Sequence, residues 1–264
     1  MTGRFSGLKH QCRHWLSTGI RLGIDLLYPR CCPLCSRIDH DLLQISHCDI
    51  CSHCRQLLIA QPPAECLRCG CPLGRYAHSS PSHGCVHCRG RFDFESLIPL
   101  GVYQGALRDA CLQAKIGRNE WLSAELSELL IETRQERFSK LRAHWIIPIP
   151  THWSRGLLLG THPAPIAATV LSRRLQVTLA TRVLRKAHRT RLQKRLSLTN
   201  RQRNLRNAFR VRSSKSAGLA GSTVILVDDV LTTGTTASEA AKVLRRAGVR
   251  HVAVAVLGQA VSRQ

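Results

Sequence analysis

Two adjacent carboxylates, Asp228 and Asp229, close the apolar run Val224 to Val227 and are followed by Thr232, Thr233, Gly234, Thr235 and Thr236. Paired acids of this kind suit a diol or a Mg2+ ion. A threonine-glycine loop offers backbone N–H groups and hydroxyls that converge on a phosphate at the start of a helix. The loop is not of the Walker type, because no Gly-Lys-Ser/Thr triplet closes it and no lysine is at hand for a terminal phosphate. An acidic turn capping the next helix would account for one aspartate, but poorly for both together with the loop.

Thirteen cysteines form the second chemistry-bearing group. Cys32 and Cys35 make one C-x2-C pair and Cys51 and Cys54 a second, with fifteen residues between Cys35 and Cys51. Cys66, Cys69, Cys85 and Cys88 repeat the pattern, each 34 positions after its counterpart, so a four-cysteine unit is duplicated. Such thiolate sets fit tetrahedral Zn2+, and four cysteines leave no open place for water. Two structural zinc ions are therefore expected, not catalytic ones. Cys31, Cys48, Cys71 and His47 stand beside these ligands and offer another pairing, such as Cys48 with Cys51. Disulfides would need an oxidising compartment, to which no signal peptide directs the chain. Cys12 and Cys111 read as ordinary buried or surface thiols. His144, His152, His188 and His251 have no nucleophile paired with them and receive no catalytic role.

The elements that must position these groups are legible as alternating patterns. Strands are expected at Leu97 to Tyr103, Ile146 to Ile149, Val224 to Val227 and Val252 to Leu257, and helices around Gly105 to Ala114, Glu120 to Thr133 and Ala164 to Leu175. A further helix follows the threonine loop, with Ala240, Val243, Leu244 and Ala247 as its apolar face and Gly248 at its end. Such alternation implies an α/β fold with a parallel sheet and helices on both faces. The expected order is an amphipathic helix within 1–30, a double zinc-ribbon over 31–90 and the sheet domain over 95–264, with Gly90 to Glu95 as the boundary. Ile20, Ile24 and Leu27 recur at helical spacing before Pro29, although the basic lead also resembles an organelle transit peptide. Arg21 and Asp25 interrupt the one N-terminal apolar run, so no segment approaches the roughly 20 apolar residues of a membrane span, and a cytoplasmic location is expected.

The formal charge of +23 is concentrated in one part of the chain. Between Glu136 and Asp228 there is no carboxylate but nineteen Lys and Arg, twelve of them from Arg182 to Arg212. A polyanion is the expected partner, bound with a steep dependence on salt. Arg185, Arg189, Arg191, Arg195, Arg201, Arg203 and Arg206 are the candidate contacts, since the planar guanidinium suits phosphate. Aromatic residues make up only 5% of the chain, which is few for stacking of single-strand bases, and Trp145 and Trp153 serve a packing role equally well. A solvated helix face or loop is the alternative for the arginine segment.

Val224 through Thr236 resembles the phosphoribosyl pyrophosphate motif of type I phosphoribosyltransferases. That resemblance implies that Asp228 and Asp229 hold the ribose 2′ and 3′ hydroxyls, and that Thr232 to Thr236 hold the 5′-phosphate, with Mg2+ accompanying phosphoribosyl pyrophosphate. The two four-cysteine units, Tyr103, Lys115, Gly117, Pro148 to Pro150, Arg185, Thr190, Gln193, Leu196, Arg201, Asn204, Ala208 and Phe209 narrow the likeness to the ComF/GntX family. Where that family has an Arg-Gly-Phe-Asn-Gln run, this chain has Leu159, Gly160, Thr161, His162 and Pro163. The resemblance implies natural competence, single-stranded DNA as partner, and contact with DNA-uptake or recombination proteins. Two other readings stand beside it: a phosphoribosyltransferase with an unknown acceptor, and a domain that senses a sugar phosphate without chemistry.

Overall fold

The computed structural model describes residues 31–32, 34–37, 50–59, 65–73, 84–86, 88, 92–116, 119–150, 162–186, 208–212 and 218–260. The expected helix within 1–30, Leu159 to Thr161, and Arg189, Arg191, Arg195, Arg201, Arg203 and Arg206 lie outside the described residues. The chain divides into two compact units, Met1–Cys54 and Arg55–Gln264. A short helix, α1 (Ser52–Ile59), carries Cys54.

Five strands form one sheet: β1 (Ser96–Val102), β2 (Trp145–Pro148), β3 (Thr178–Leu179), β6 (Thr223–Leu231) and β7 (His251–Gln259). Their order is β1-β7-β6-β2-β3, and every neighbouring pair is parallel. β6 and β7 are near-continuous apolar runs because strands in the middle of a parallel sheet are covered on both faces. Pro99 has no N–H to give to a ladder and sits in β1, an edge strand paired on one side only.

Successive side chains alternate between the two faces. Val224, Leu226, Val252, Val254 and Val256 face one core, which is closed by α5 (Thr235–Arg246) through Ala237, Ala240, Ala241 and Leu244. Leu184 and Phe209 join that core from a two-stranded antiparallel hairpin, β4 (Leu184–Lys186) with β5 (Phe209–Val211). α3 (Glu120–Leu141) and α4 (Pro163–Leu175) pack on the strands as well as on each other, and α2 (Gly105–Gln113) follows β1. Asn119 starts α3 by accepting a hydrogen bond from Leu122 N at 3.3 Å, and Pro163 starts α4 where its missing N–H costs nothing.

The α/β architecture and the eight elements expected of the sheet domain are present, with shifted ends. β6 runs on through Asp228 and Asp229 to Leu231 because its ladder with β7 continues to Gln259. α3 runs past Thr133 to Leu141, with a departure from helical geometry at Arg134 (φ −120°, ψ 17°). Arg134 and Arg137 turn inward there to reach Glu65, which is why the charged stretch stays helical and packed. No helix among the described residues is long and apolar enough to cross a membrane.

Candidate functional site

The chain leaves β2 through α4 toward β3, and leaves the neighbouring β6 through α5 toward β7 on the opposite side. Strand order therefore reverses between β2 and β6. In open parallel sheets the crevice beyond the carboxyl ends at such a reversal is the place for ligands. Asp228 and Asp229 stand at that end of β6, and Thr232, Thr233 and Gly234 lead directly into α5, whose first residues are Thr235 and Thr236. The structure thus brings all seven sequence-selected residues of this group together.

The loop geometry suits an anion. Gly234 is the N-cap at φ 74°, the left-handed region that glycine enters without a Cβ penalty, and it offers no side-chain cap to the first N–H groups of α5. Thr233 Oγ1 and Thr235 Oγ1 lie 2.9 Å apart, and no acidic residue occupies the first helical turn. Thr235 N donates to Thr233 Oγ1 at 3.5 Å, so the two hydroxyls cluster at the positive end of the α5 dipole, where an anion is favoured.

The two carboxylates differ in electrostatics. Burial raises Asp228 well above the usual carboxylate range, and the charge of Asp229 adds to it. Burial also acts to raise Asp229, but the Lys115 ammonium, 2.6 Å from its Oδ2, outweighs that and holds it low. Lys115 responds in kind: burial disfavours its charge, and Asp229 more than offsets this, so its pKa is raised. Asp229 N donates to Asp228 Oδ1 at 2.9 Å, and Val230 N to Asp229 Oδ1 at 2.7 Å, which fixes both side chains. One neutral acid beside one carboxylate gives a donor and several acceptors, a combination that can serve both hydroxyls of a diol.

The pairing of Lys115 with Asp229 is a feature that reading residue spacing missed, because the two are 114 positions apart. An unneutralised acid pair in a chain so rich in base was the one available signal. Tyr103 belongs to the same corner: a Cβ at Gly258 would press on its ring at 2.8 Å, so the glycine admits Tyr103 over the end of β7. Burial pushes the nearby Cys111 thiol up to about 12, leaving it neutral.

Each set of four cysteines comes together. In both, all four Sγ atoms lie within 4.8 Å of one another. Cys35 and Cys51 are 3.6 Å apart, Cys69 and Cys85 3.6 Å, and Cys66 and Cys88 3.8 Å. A tetrahedron with metal–sulfur bonds of about 2.3 Å has edges of about 3.8 Å, so both sets fit a tetrahedral metal. The same distances far exceed the ~2.05 Å of a disulfide. Without a metal, burial raises Cys54, with hydrogen bonds from Cys35, Cys51 and Cys32 adding to it, and burial lifts Cys88 to about 11, so these two thiols keep their protons and a metal ion must displace them on binding.

The second set is bound firmly to the sheet domain. Glu65, the residue before Cys66, accepts from Arg134 at 3.1 Å and from Arg137 at 2.7 Å, and all three side chains are largely buried. Arg137 also donates to Leu97 O at 2.6 Å and Arg134 to Pro99 O at 3.0 Å. Gln259 Nε2 donates to Cys69 O, and Arg68 donates to Phe92 O at 2.9 Å.

Of the candidate nucleic-acid contacts, Arg185 is described: it lies exposed on β4, directly opposite Arg210 of β5. Trp145 Nε1 donates to Gly218 O at 3.1 Å, a packing role, and His144 Nδ1 accepts from Thr223 N at 3.1 Å.

Comparison with known proteins adds the family. Residues 160–263 match the family model described as phosphoribosyl transferase domain. Over 222 residues the chain is 30% identical to competence protein F of Haemophilus influenzae, a match that covers 83% of this chain and 93% of that protein. The chain belongs to the competence protein F family. In this member of the family the matched domain contains α4, β3 to β7, α5, both aspartates and the threonine loop, whereas both cysteine sets, Tyr103 and Lys115 precede it. Among solved structures, adenine phosphoribosyltransferase from Saccharomyces cerevisiae is 21% identical, with TM-score 0.33, over 52% of this chain and 69% of that one. The allosteric regulatory enzyme of purine biosynthesis is 22% identical, with TM-score 0.34, over 51% of this chain, and the match spans 26% of that enzyme's length.

Proposed function

We propose that this competence protein F family member binds a phosphoribosyl-type sugar phosphate at the carboxyl ends of β2 and β6, and acts on incoming single-stranded DNA in natural competence. The observation that carries the reading is the grouping of Asp228, Asp229 and Thr232 to Thr236 at the reversal of strand order. Asp228 and Asp229 would engage the ribose hydroxyls. The hydroxyls of Thr233 and Thr235 and the N–H groups of the first turn of α5 would hold the 5′-phosphate. Mg2+, when bound with phosphoribosyl pyrophosphate, would neutralise the pyrophosphate, and the oxygen donors of the paired aspartates fit such a hard cation. Zn2+ is the metal assigned to both four-cysteine sets, since soft thiolates in a closed tetrahedral site select it. The cytoplasm is the location this reading requires.

DNA binding is supported by the hairpin. Arg185 and Arg210 face each other in register, with Arg182 and Arg212 exposed nearby. Like charges directly opposite repel, and a bound phosphate backbone relieves that repulsion. Arg189, Arg191, Arg195, Arg201, Arg203 and Arg206, in the chain between β4 and β5, would extend the track, and DNA-uptake or recombination proteins are the expected protein partners.

A transferase is the second reading, favoured by the unequal acid pair. There an acceptor nucleophile would form a bond to the sugar C1 as the bond from C1 to the pyrophosphate oxygen breaks, with pyrophosphate leaving. The test is a pair of titrations of the full chain. Asp228→Ala/Asp229→Ala should abolish ribose 5-phosphate binding in calorimetry and leave DNA binding intact. Arg185→Ala/Arg210→Ala should weaken single-stranded DNA binding and reduce the slope of log affinity against log salt by about 1.4, at ~0.7 for each of the two lost phosphate contacts. Loss of DNA binding in the aspartate variant, or its persistence with an unchanged slope in the arginine variant, would refute the division of roles. Release of pyrophosphate with a screened acceptor would establish the transferase.

A further inference from the structure

The second four-cysteine set is linked to the loop assigned to the phosphate through intervening side chains. Among the described residues Phe92 alone packs on both the Cys66, Cys69, Cys85, Cys88 cluster and the core beneath α5. Its ring lies so near Gly234 that a Cβ on that glycine would collide with it. Gly234 is where the chain turns from Thr233 into α5, so the ring sets the path of the loop. Phe92 is itself anchored from the cysteine side. Its carbonyl accepts from Arg68, which stands between Cys66 and Cys69, and its ring stacks on the buried Phe94 with centroids 4.8 Å apart.

A second brace runs through Gln259. Its amide donates to the Cys69 carbonyl, and its backbone pairs with Leu231, the last residue of β6 before the loop. A third follows from Asp93, whose N donates to Ser238 Oγ at 3.0 Å while Oδ2 accepts from the same hydroxyl at 2.7 Å, tying the residue after Phe92 to α5. The knuckle that carries Cys66 and Cys69 is therefore braced against the loop along both of its flanks.

We propose that metal bound by Cys66, Cys69, Cys85 and Cys88 positions the phosphate loop, with Phe92 as the positioning residue, so that sugar-phosphate affinity depends on this centre and not on the one formed by Cys32, Cys35, Cys51 and Cys54. The affinity part rests on the sugar-phosphate reading above, and the coupling part does not. Backbone opening at the loop reports the coupling directly, since local hydrogen exchange follows local packing.

The experiment is hydrogen exchange on full-length zinc-loaded protein, with metal content measured on each sample and ribose 5-phosphate titrated alongside. Phe92→Ala keeps all eight thiolates and should retain both metal equivalents, yet the amides of residues 232–236 should exchange about tenfold faster. Cys85→Ser should lose one metal and show the same acceleration. Cys32→Ser should lose one metal with exchange at 232–236 unchanged. Unchanged exchange in either Phe92→Ala or Cys85→Ser, or equal acceleration in Cys32→Ser, overturns the proposal. With wild type binding ribose 5-phosphate, Phe92→Ala should bind it about tenfold more weakly, a difference of about 1.4 kcal/mol, and equal affinity overturns it. A wild type that ignores ribose 5-phosphate while exchange follows the expected pattern refutes the sugar-phosphate reading and leaves the coupling standing.

Discussion

In the first cysteine unit Cys32 N donates to Arg37 O at 2.9 Å and Ser36 N to Cys32 O at 2.8 Å; in the second, Cys66 N donates to Cys71 O at 2.9 Å and Gly70 N to Cys66 O at 2.6 Å. The knuckle is the same, down to a left-handed residue at equivalent places, Ser36 at φ 56° and Gly70 at φ 68°. What differs is the set of residues around it. At the 34-position offset, Glu65 stands where the first unit has Cys31, Arg68 where it has Leu34, Gly70 where it has Ser36 and Phe92 where it has Leu58. Each substituted residue makes an attachment in the unit Arg55–Gln264: to Arg134 and Arg137, to the Phe92 carbonyl, to Gln259 and to Gly234. The two copies share their cysteine geometry and differ in their surroundings, and those surroundings make the second copy part of the unit Arg55–Gln264.

Removal of metal should give the largest effect and separate the two copies. Zinc binding to small cysteine modules contributes about 10–16 kcal/mol to their folding. A chelator should therefore unfold the unit Met1–Cys54, while circular dichroism reports that the helices of the sheet domain persist. With a thiol reagent, Cys32, Cys35, Cys51 and Cys54 should react first, and Cys66, Cys69, Cys85 and Cys88 more slowly, because Glu65 and Gln259 still hold their knuckle. Full-length protein that loses its metal and keeps every thiol protected would break the assignment of both centres. Next in size is Glu65→Ala, which leaves Arg134 and Arg137 largely buried without their shared carboxylate. Breaking such a pair costs about 3–5 kcal/mol, to be read from denaturant unfolding of the full chain. A loss under about 1 kcal/mol would mean that the second unit is not docked through this cluster.

The parts of this molecule that depend on near neighbours in sequence were readable without coordinates. The cysteine pairs, the Asp228–Asp229 pair, the threonine loop and the strands around them declare themselves within windows of a few to some twenty residues. The attachments that give the second centre its context do not: Glu65 meets Arg134 across 69 positions, and Gln259 meets Cys69 across 190. No periodicity encodes such a meeting. The hairpin was missed for a related reason, since β4 and β5 have three residues each and 22 residues between them, too little for an alternating pattern. α3 was read too short because Arg134, Glu136 and Arg137 look like a solvated end, whereas two of the three turn into the protein to meet Glu65.

A reciprocal exchange at the knuckle gives the smallest and most discriminating effect. Gly70 faces the Gln259 side chain so closely that any Cβ would force the amide away from the Cys69 carbonyl. Gly70→Ser therefore adds a left-handed strain of about 1 kcal/mol to the displacement of a buried hydrogen-bonded amide, for about 2–3 kcal/mol together. Ser36 already accepts that conformation, so Ser36→Gly removes only the strain and should stabilise its own unit by at most ~1 kcal/mol, less the entropy of the freer unfolded chain. Both are measured as the shift in chelator resistance of the corresponding centre. Were Gly70→Ser as harmless as the serine already present at position 36, contact with Gln259 would not be what distinguishes the copies, and the difference between them would rest on Glu65, Arg68 and Phe92. If Gly70→Ser weakens the second centre and also loosens residues 232–236, the requirement for glycine at position 70 comes from the phosphate loop, because the same knuckle elsewhere in the chain tolerates a side chain there.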